Sequence, residues 1–132
     1  MRAEKAIASL LNSSAGVTAL VGARIYGGAA QEEAPTPLLI YRKLSAVRVD
    51  QADLDVSPQL VEAMIEVLCV AATYPQLKDL GEAVRLALLG ERGTVNGVDL
   101  LYVSVEEEGA DEYEPQLREF AQAWTFRVQH TE

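Results

Sequence analysis

The side chains best suited to nucleophilic catalysis in this sequence are one cysteine, Cys69, and one histidine, His130. A thiol becomes a nucleophile when an adjacent base takes its proton, so these residues are the candidates for a Cys–His dyad. Cys69 lies inside an apolar run, which predicts a buried thiol. His130 lies near the end of the sequence, which predicts a solvated side chain. We therefore expect no dyad between them.

A first acidic segment, with Asp50, Asp53 and Asp55, has residue types that bind calcium. An EF-hand loop needs acidic or amide side chains at its first, third and fifth positions, followed by glycine. Counted from Asp50, the third and fifth positions hold Ala52 and Leu54, and no glycine follows. The spacing therefore excludes an EF-hand and favours a solvated acidic loop.

A second acidic segment, Glu106–Pro115, contains no lysine or arginine. Paired carboxylates can hydrolyse glycosidic bonds, but such enzymes also need a substrate cleft. The few aromatic residues fall mostly at core-like strand positions, which argues against such a cleft. Elsewhere in the chain, the Gly90–Gly93 stretch lacks the lysine of a phosphate-binding loop and indicates a turn. We interpret the segment as a charged loop at an assembly surface, with plain solubility as the alternative. Its carboxylates are those of Glu106, Glu107, Glu108, Asp111, Glu112 and Glu114.

The composition is that of a soluble globular chain of 132 residues with a net charge of −9. Such acidity disfavours non-specific binding to nucleic acid or to an anionic membrane, since both require lysine and arginine. We expect one domain spanning residues 1–132, made in the cytoplasm, with no cofactor and no metal. The start of the sequence does not resemble a signal peptide, and no apolar window reaches the length of a membrane span.

The first half of the chain should form a helix and a strand, with shorter elements between them. Apolar residues recur at helical spacing over Ala3–Leu11, and a short helical turn is predicted at Val17–Val21. Glycines and prolines make Gly27–Pro37 a predicted loop. Leu38–Ser45 alternates as a strand, and Val47–Pro58 is predicted to be a long excursion of the chain.

The second half predicts three strands, a helix and a hairpin turn. Leu60–Ala72 is apolar on both faces, which indicates a central strand. A helix should begin after Thr73, because Thr73 and Gln76 form a capping pair. Asn96-Gly97 favours a type I′ hairpin turn leading into a strand that ends near Val105. The last strand, Glu119–His130, places Trp124 among core residues.

The element order α-β-β-α-β-β predicts an α+β fold. We expect a mainly antiparallel sheet of four to five strands with two main helices packed on one face.

Three stretches of the sequence resemble a known family. The first is LVGARIYGGAAQEEAPTPLLIYRKLS, in which Arg24-Ile25-Tyr26 precedes a proline-containing loop and a strand. The second is VEAMIEVLCVAATYPQLKDLGEAVRLALLG, a strand ending in Ala-Thr-Tyr followed by a helix. The third is the acidic loop around Tyr113 and the closing strand WTFRVQH. In this order they resemble the tail-completion, or tail-terminator, proteins of long-tailed bacteriophages and prophages.

The resemblance implies a structural virion protein without catalytic residues. Proteins of this kind form rings, typically hexameric, that cap the head-proximal end of the tail tube. They stop tube growth and provide a docking surface for the head connector or stopper protein. The tail tube protein would be a second partner, and DNA would pass through the ring without specific binding. Either acidic segment would then face the lumen or an assembly partner.

Three other readings of the sequence stay open. Another neck or tail component, such as a connector stopper or a tube subunit, would share the fold, since fold does not fix function. A small cytosolic enzyme would need a pocket with strongly perturbed titratable groups. An interaction module outside phage biology is the third reading.

Overall fold

The computed structural model describes residues 2–48 and 59–131, and that part of the chain forms three helices and seven strands. The helices are α1 (Arg2–Ser13), α2 (Ala15–Val21) and α3 (Tyr74–Leu88). The strands are β1 (Ile25–Gly27), β2 (Leu38–Arg48), β3 (Leu60–Ala71), β4 (Gly93–Val95), β5 (Val98–Glu108), β6 (Glu112–Glu114) and β7 (Glu119–Thr131). The predicted α+β class is confirmed.

One mixed, curled sheet holds the described strands in the order β1-β2-β3-β7-β5-β4, with β6 also paired to β7. Every pairing is antiparallel except that of β1 with β2, which is parallel. The expected count of four to five strands is therefore wrong, and the expected antiparallel character is right only in part. The four long strands were predicted, whereas β1, β4 and β6 have three residues each and are too short to show alternation.

Among the described residues, the helices cover one face of the sheet and no helix or strand covers the other, which is here called the open face. Along β3, Val61, Ala63, Ile65, Val67 and Cys69 point to the helices and are buried, and the residues that alternate with them up to Leu68 are only half-buried. The prediction that this strand is central is confirmed, because β2 and β7 flank it. Side chains from α1 and α3 complete the core. The buried face supplies stability, and the open face is available for contacts.

A capping pair sets the start of α3, as the sequence predicts. The Thr73 hydroxyl oxygen accepts a hydrogen bond from the Gln76 backbone N–H at 3.3 Å. The Gln76 side-chain oxygen in turn accepts from the Ala72 N–H at 3.3 Å. Pro75 lies in the first turn, where its missing N–H costs no hydrogen bond. Together these contacts hold the first turn of α3 against the end of β3.

Replacing Thr73 by alanine should lower the free energy of unfolding by about 1 kcal/mol, because an N-terminal N–H of α3 loses its acceptor. Urea denaturation followed by circular dichroism measures the change. Thr73→Ser keeps the hydroxyl and should retain most of the stability. If serine costs as much as alanine, the cap is not the source of the effect.

The sheet and α3 meet most closely at Gly81 and Trp124. Trp124 is 5% exposed, so its predicted place in the core is confirmed. A Cβ at position 81 would lie 2.9 Å from the Trp124 indole nitrogen, closer than atoms normally approach. Glycine at this position lets the helix rest directly on the indole ring.

Three local predictions need correction. Val47 and Arg48, which were predicted to begin a long excursion, belong to β2, and the rest of that predicted segment, residues 49–58, lies outside the described part. Glu106–Pro115 is not one loop, because Glu106–Glu108 close β5 and Glu112–Glu114 form β6; pairing with β7 overrides the weak strand propensity of glutamate. His130 is 2% exposed rather than solvated, since it alternates with the buried residues of β7.

Candidate assembly surface

The second acidic segment forms a bent, exposed edge of the sheet, here called the acidic corner and defined as Glu106–Glu114. Glu108 lies beside Trp124 of β7, and Glu112 lies beside Ala121 of the same strand. The chain therefore leaves β7 for only a few residues between β5 and β6. The structure brings the six predicted carboxylate residues together on this corner, and all six are exposed.

Hydrogen bonds to the buried side of β7 hold the bend of the acidic corner. The Gly109 N–H donates to the Ala123 carbonyl at 2.8 Å. The Gly109 carbonyl accepts from the Gln122 side-chain amide, also at 2.8 Å. Gln122 is only 3% exposed, and its oxygen accepts from the Trp124 indole N–H at 3.3 Å. The corner is thus tied to the core and positioned rigidly.

Asp111 ties the same bend to the first turns of α3. Its Oδ2 accepts a hydrogen bond from the Tyr74 hydroxyl at 2.7 Å, and its Oδ1 pairs with the Lys78 ammonium group. The hydrogen bond from Lys78, with that from Tyr74 second, lowers the pKa of Asp111 below its ordinary value. The Lys78 ammonium also lies 5.1 Å from the centre of the Tyr74 ring. Asp111 therefore has a role within the fold, whatever else it contacts.

Asp111→Asn should weaken the dependence of stability on acid. The pKa of Asp111 is lower in the folded chain. Its charge therefore stabilises the fold above the unfolded pKa, and this contribution is lost as pH falls through the folded pKa. Between about pH 5 and pH 2, the urea concentration at the unfolding midpoint should fall less with decreasing pH in the variant than in wild type. Glu112→Gln, which removes a neighbouring exposed charge, is the control. Equal pH slopes for Asp111→Asn and wild type would contradict the role of Asp111.

The open face of the sheet carries ion pairs and a groove of mixed polarity beside the acidic corner. Arg42 of β2 pairs with Glu66 of β3 at 2.9 Å, and Arg127 of β7 pairs with Glu106 at 2.9 Å. An open groove of about 330 Å³ lies between β2 and the corner. Apolar and acidic side chains share its lining, including Leu44, Leu68, Ala121, Ala123, Glu107 and Glu112. Such a surface suits contact with another protein better than catalysis on a small molecule.

The structure separates the two residues that could have formed a nucleophilic dyad. Cys69 lies beside Gln122 in the sheet, eight positions before His130 on β7, which is about 26 Å along a strand. Burial raises the pKa of the Cys69 thiol to about 12. Within residues 2–48 and 59–131, no group of three or more histidine, cysteine or carboxylate side chains is placed to hold a metal ion. None of the helices in these two ranges is long and apolar enough to cross a membrane.

Asp50, Asp53 and Asp55 of the first acidic segment lie outside the described residues, so their place in an assembly stays a prediction.

Comparison with known protein families matches residues 5–129 to the model of "Tail completion protein gp17". The chain belongs to this tail completion family. The family resemblance inferred from the sequence is thereby confirmed, and the protein is a structural tail or neck protein. A search of proteins with curated function finds no match.

Among solved structures, the tail completion fold is similar to a chain in the "Virion of native gene transfer agent (GTA) particle". The TM-score is 0.66 at 20% sequence identity, over 99% of this chain and 98% of that chain. At this identity the likeness concerns the fold. It extends over the whole length of both chains, so the sheet and the helices described above form one shared architecture.

Sequence reasoning missed the residues that position the acidic corner. Tyr74 and Lys78 belong to α3 and reach Asp111 only because the fold brings their segments together. Gln122 had a readable signal, since it alternates with Trp124 and Phe126 on a buried strand face. A polar residue in such a pattern indicates a buried hydrogen bond, and here that bond fixes the bend.

Proposed function

We propose that this tail completion protein caps the head-proximal end of a phage tail tube, stops tube growth and presents the surface on which the head connector docks. The observation that carries the proposal is the family match over residues 5–129. The open sheet face and the rigidly held acidic corner support it, because they offer contact surfaces rather than a catalytic cleft. The protein would act in the virion without catalysing a reaction.

In the proposed form, the protein is a ring of six copies through which DNA passes. Closed rings arise from head-to-tail contacts whose rotation closes on itself. Each copy has a net charge of −9, so the ring is strongly acidic. Carboxylates near the lumen would repel DNA phosphates and let the DNA slide without sticking. The tail tube protein, the connector and neighbouring copies are the proposed partners.

Electron microscopy of a lysate in which the gene is disrupted tests the capping role. We expect overlong tails that are not attached to DNA-filled heads. A matched lysate complemented with the wild-type gene should restore joined tails of normal length. Intact infectious particles without the gene would overturn the structural role altogether.

The second candidate is another neck or tail component, such as a connector stopper or a tube subunit. The family match agrees with each of these roles, because its description names tail completion and does not say which virion proteins a member contacts. Normal-length tails that fail to join heads would identify a connector role. An absence of tubes would identify a tube or initiation component, and a purified tube subunit would polymerise by itself.

Neutralising the acidic segments tests the proposed roles of their carboxylates. One variant converts Glu106, Glu107, Glu108, Glu112 and Glu114 to glutamine, and a second converts Asp50, Asp53 and Asp55 to asparagine. Asp111 is left unchanged, because it supports the fold through Tyr74 and Lys78. We expect the combined variant to remain folded and to lose head–tail joining or DNA ejection. Normal particles from the combined variant would show that neither segment matters for assembly or passage.

A further inference from the structure

Two exposed edges of the sheet carry opposite charges. Beyond Tyr41, where pairing with β1 ends, the described part of the chain gives β2 only one neighbouring strand, β3. This basic edge, Arg42–Arg48, is exposed throughout, and its sequence contains three basic residues and no acidic one. Arg42 and Lys43 also contact Glu66 and Glu4 of the same chain. On the other side, β4 covers β5 only as far as Leu100.

The acidic edge is the remaining part of β5 together with β6. The Val103 carbonyl still accepts a hydrogen bond from the Gly90 N–H at 2.8 Å. After Val103, Ser104–Glu108 pairs with β7 alone among the described strands, and so does β6. This stretch contributes glutamates and no basic residue. Its charge is therefore the complement of the charge on the basic edge.

Strand edges with unpaired backbone groups tend to pair with another strand unless something prevents it. The basic edge also exposes two apolar side chains, Leu44 at 45% and Val47 at 61%. Two copies meeting by their basic edges would place like charges together, which is unfavourable. The same edge attracts an acidic partner. The charges thus disfavour symmetric pairing of identical edges and favour pairing of one edge with the other.

The register of the sheet places opposite charges at the two ends of one cross-strand row. Arg42 lies beside Glu66, Glu66 beside Thr125, and Thr125 beside Glu107, so one cross-strand row runs from arginine to glutamate. β2 and β5 run in opposite directions, because three antiparallel pairings separate them. A second copy in the same orientation therefore presents its β2 antiparallel to β5 of the first copy. The two edges are about 14 Å apart across three strand spacings, so each edge meets a different neighbour.

We propose that copies of this chain join head to tail, with the basic edge of one copy against the acidic edge of the next. The contact uses two different surfaces, so every added copy leaves one edge of each kind available. Repetition of such a contact either closes into a ring or continues as a filament. Closure of such an assembly rests on the ring proposed above, and the two edges are the surfaces that would build that ring.

Cross-linking of engineered cysteines tests which surfaces meet. The native Cys69 is fully buried and its pKa is raised to about 12, so a short bis-maleimide should not modify it. We would use the full chain as Ser45→Cys/Ser104→Cys, in concentrated solution and in purified tails, because Ser45, Met64, Arg127 and Ser104 form one cross-strand row. The expected product is a ladder of dimer, trimer and larger species. A 1:1 mixture of the two single variants should stop at the dimer.

A matched control separates edge pairing from random collision. Leu86 lies on α3 rather than on either strand edge, and it is 65% exposed. Leu86→Cys/Ser104→Cys should therefore give no ladder under the same conditions. Equal ladders from both double variants, or no ladder from Ser45→Cys/Ser104→Cys in either solution or tails, would overturn the proposal.

Charge exchange provides an independent measurement. Arg42→Glu/Glu66→Arg preserves an ion pair within the chain while it reverses the charge at position 42 of the basic edge. We expect at least tenfold weaker self-association by analytical ultracentrifugation, and recovery when Glu107→Arg is added. If Glu107→Arg weakens the exchanged variant further, the two edges do not meet.

The two proposals fail separately. Joined tails of normal length after gene disruption would end the capping role, even if the edges cross-link. Overlong tails after disruption, together with no edge cross-linking, would leave the capping role in place and remove only the edge contact.

Discussion

Phe126→Ala should lower the free energy of unfolding by about 3–5 kcal/mol, because the loss of a buried aromatic ring removes hydrophobic contact and leaves a cavity. Phe126 is fully buried in the middle of β7. In the sheet it lies between Ile65 of β3 and Val105 of β5. Its ring also stacks beside that of Trp124, with 6.3 Å between the centroids. The side chain therefore packs in the core between β3 and β5.

A loss of this size is a large part of the stability of an ordinary domain, about 5–15 kcal/mol. Urea denaturation followed by circular dichroism measures it, with fluorescence of the only tryptophan as a second probe. Phe126→Leu should cost less, because a smaller cavity remains. Thr125→Ala, on the open face of the same strand, should cost under about 1 kcal/mol. Similar losses at both positions would show that the core does not lie where the structure places it.

Gly109→Ala should lower the free energy of unfolding by about 1–3 kcal/mol. A Cβ at this position would clash with the Ala123 carbonyl oxygen, which belongs to the backbone of β7. That oxygen also accepts the Gly109 N–H, so the bend and the strand cannot separate without losing the hydrogen bond. The substitution should therefore displace the acidic corner as well as destabilise the fold.

Two measurements distinguish this clash from a general effect of removing glycine. Gly16→Ala, in exposed helix α2, should be neutral or stabilising by up to about 1 kcal/mol, since the new Cβ meets only the Ser14 hydroxyl at 3.8 Å. Amide exchange of residues 109–114 should be faster in Gly109→Ala than in wild type. Wild-type stability together with unchanged exchange would show that the corner tolerates a side chain.

Local patterns in the sequence were sufficient to predict the principal elements. The helical recurrence after Thr73, the Asn96-Gly97 turn and the alternation of β3 each arise from neighbouring residues, so no distant contact is needed to read them. Composition and motif spacing also argued against phosphate binding and EF-hand chemistry. The ordered set of family-like stretches led to the tail completion family, which the match over residues 5–129 confirms.

Tertiary structure decided everything that depends on strand pairing. Short β1, β4 and β6 exist because a longer neighbour accepts their hydrogen bonds, and three residues carry no readable period. His130 is buried because its register opposes it to Val61 and Leu100, whereas its sequence position suggested exposure. The glutamates of the acidic corner lie on strands for the same reason, although their own propensity favours a loop.

For the candidate surface, too, the sequence revealed the charged residues and the fold decided which residues they contact. The sequence identified the carboxylates of the acidic corner, since charge is a property of each residue by itself. It could not show that Tyr74 and Lys78 hold Asp111, or that Arg42 and Glu107 end the same row of the sheet. Such relations join residues more than thirty positions apart, and only the folded backbone sets the distance between them.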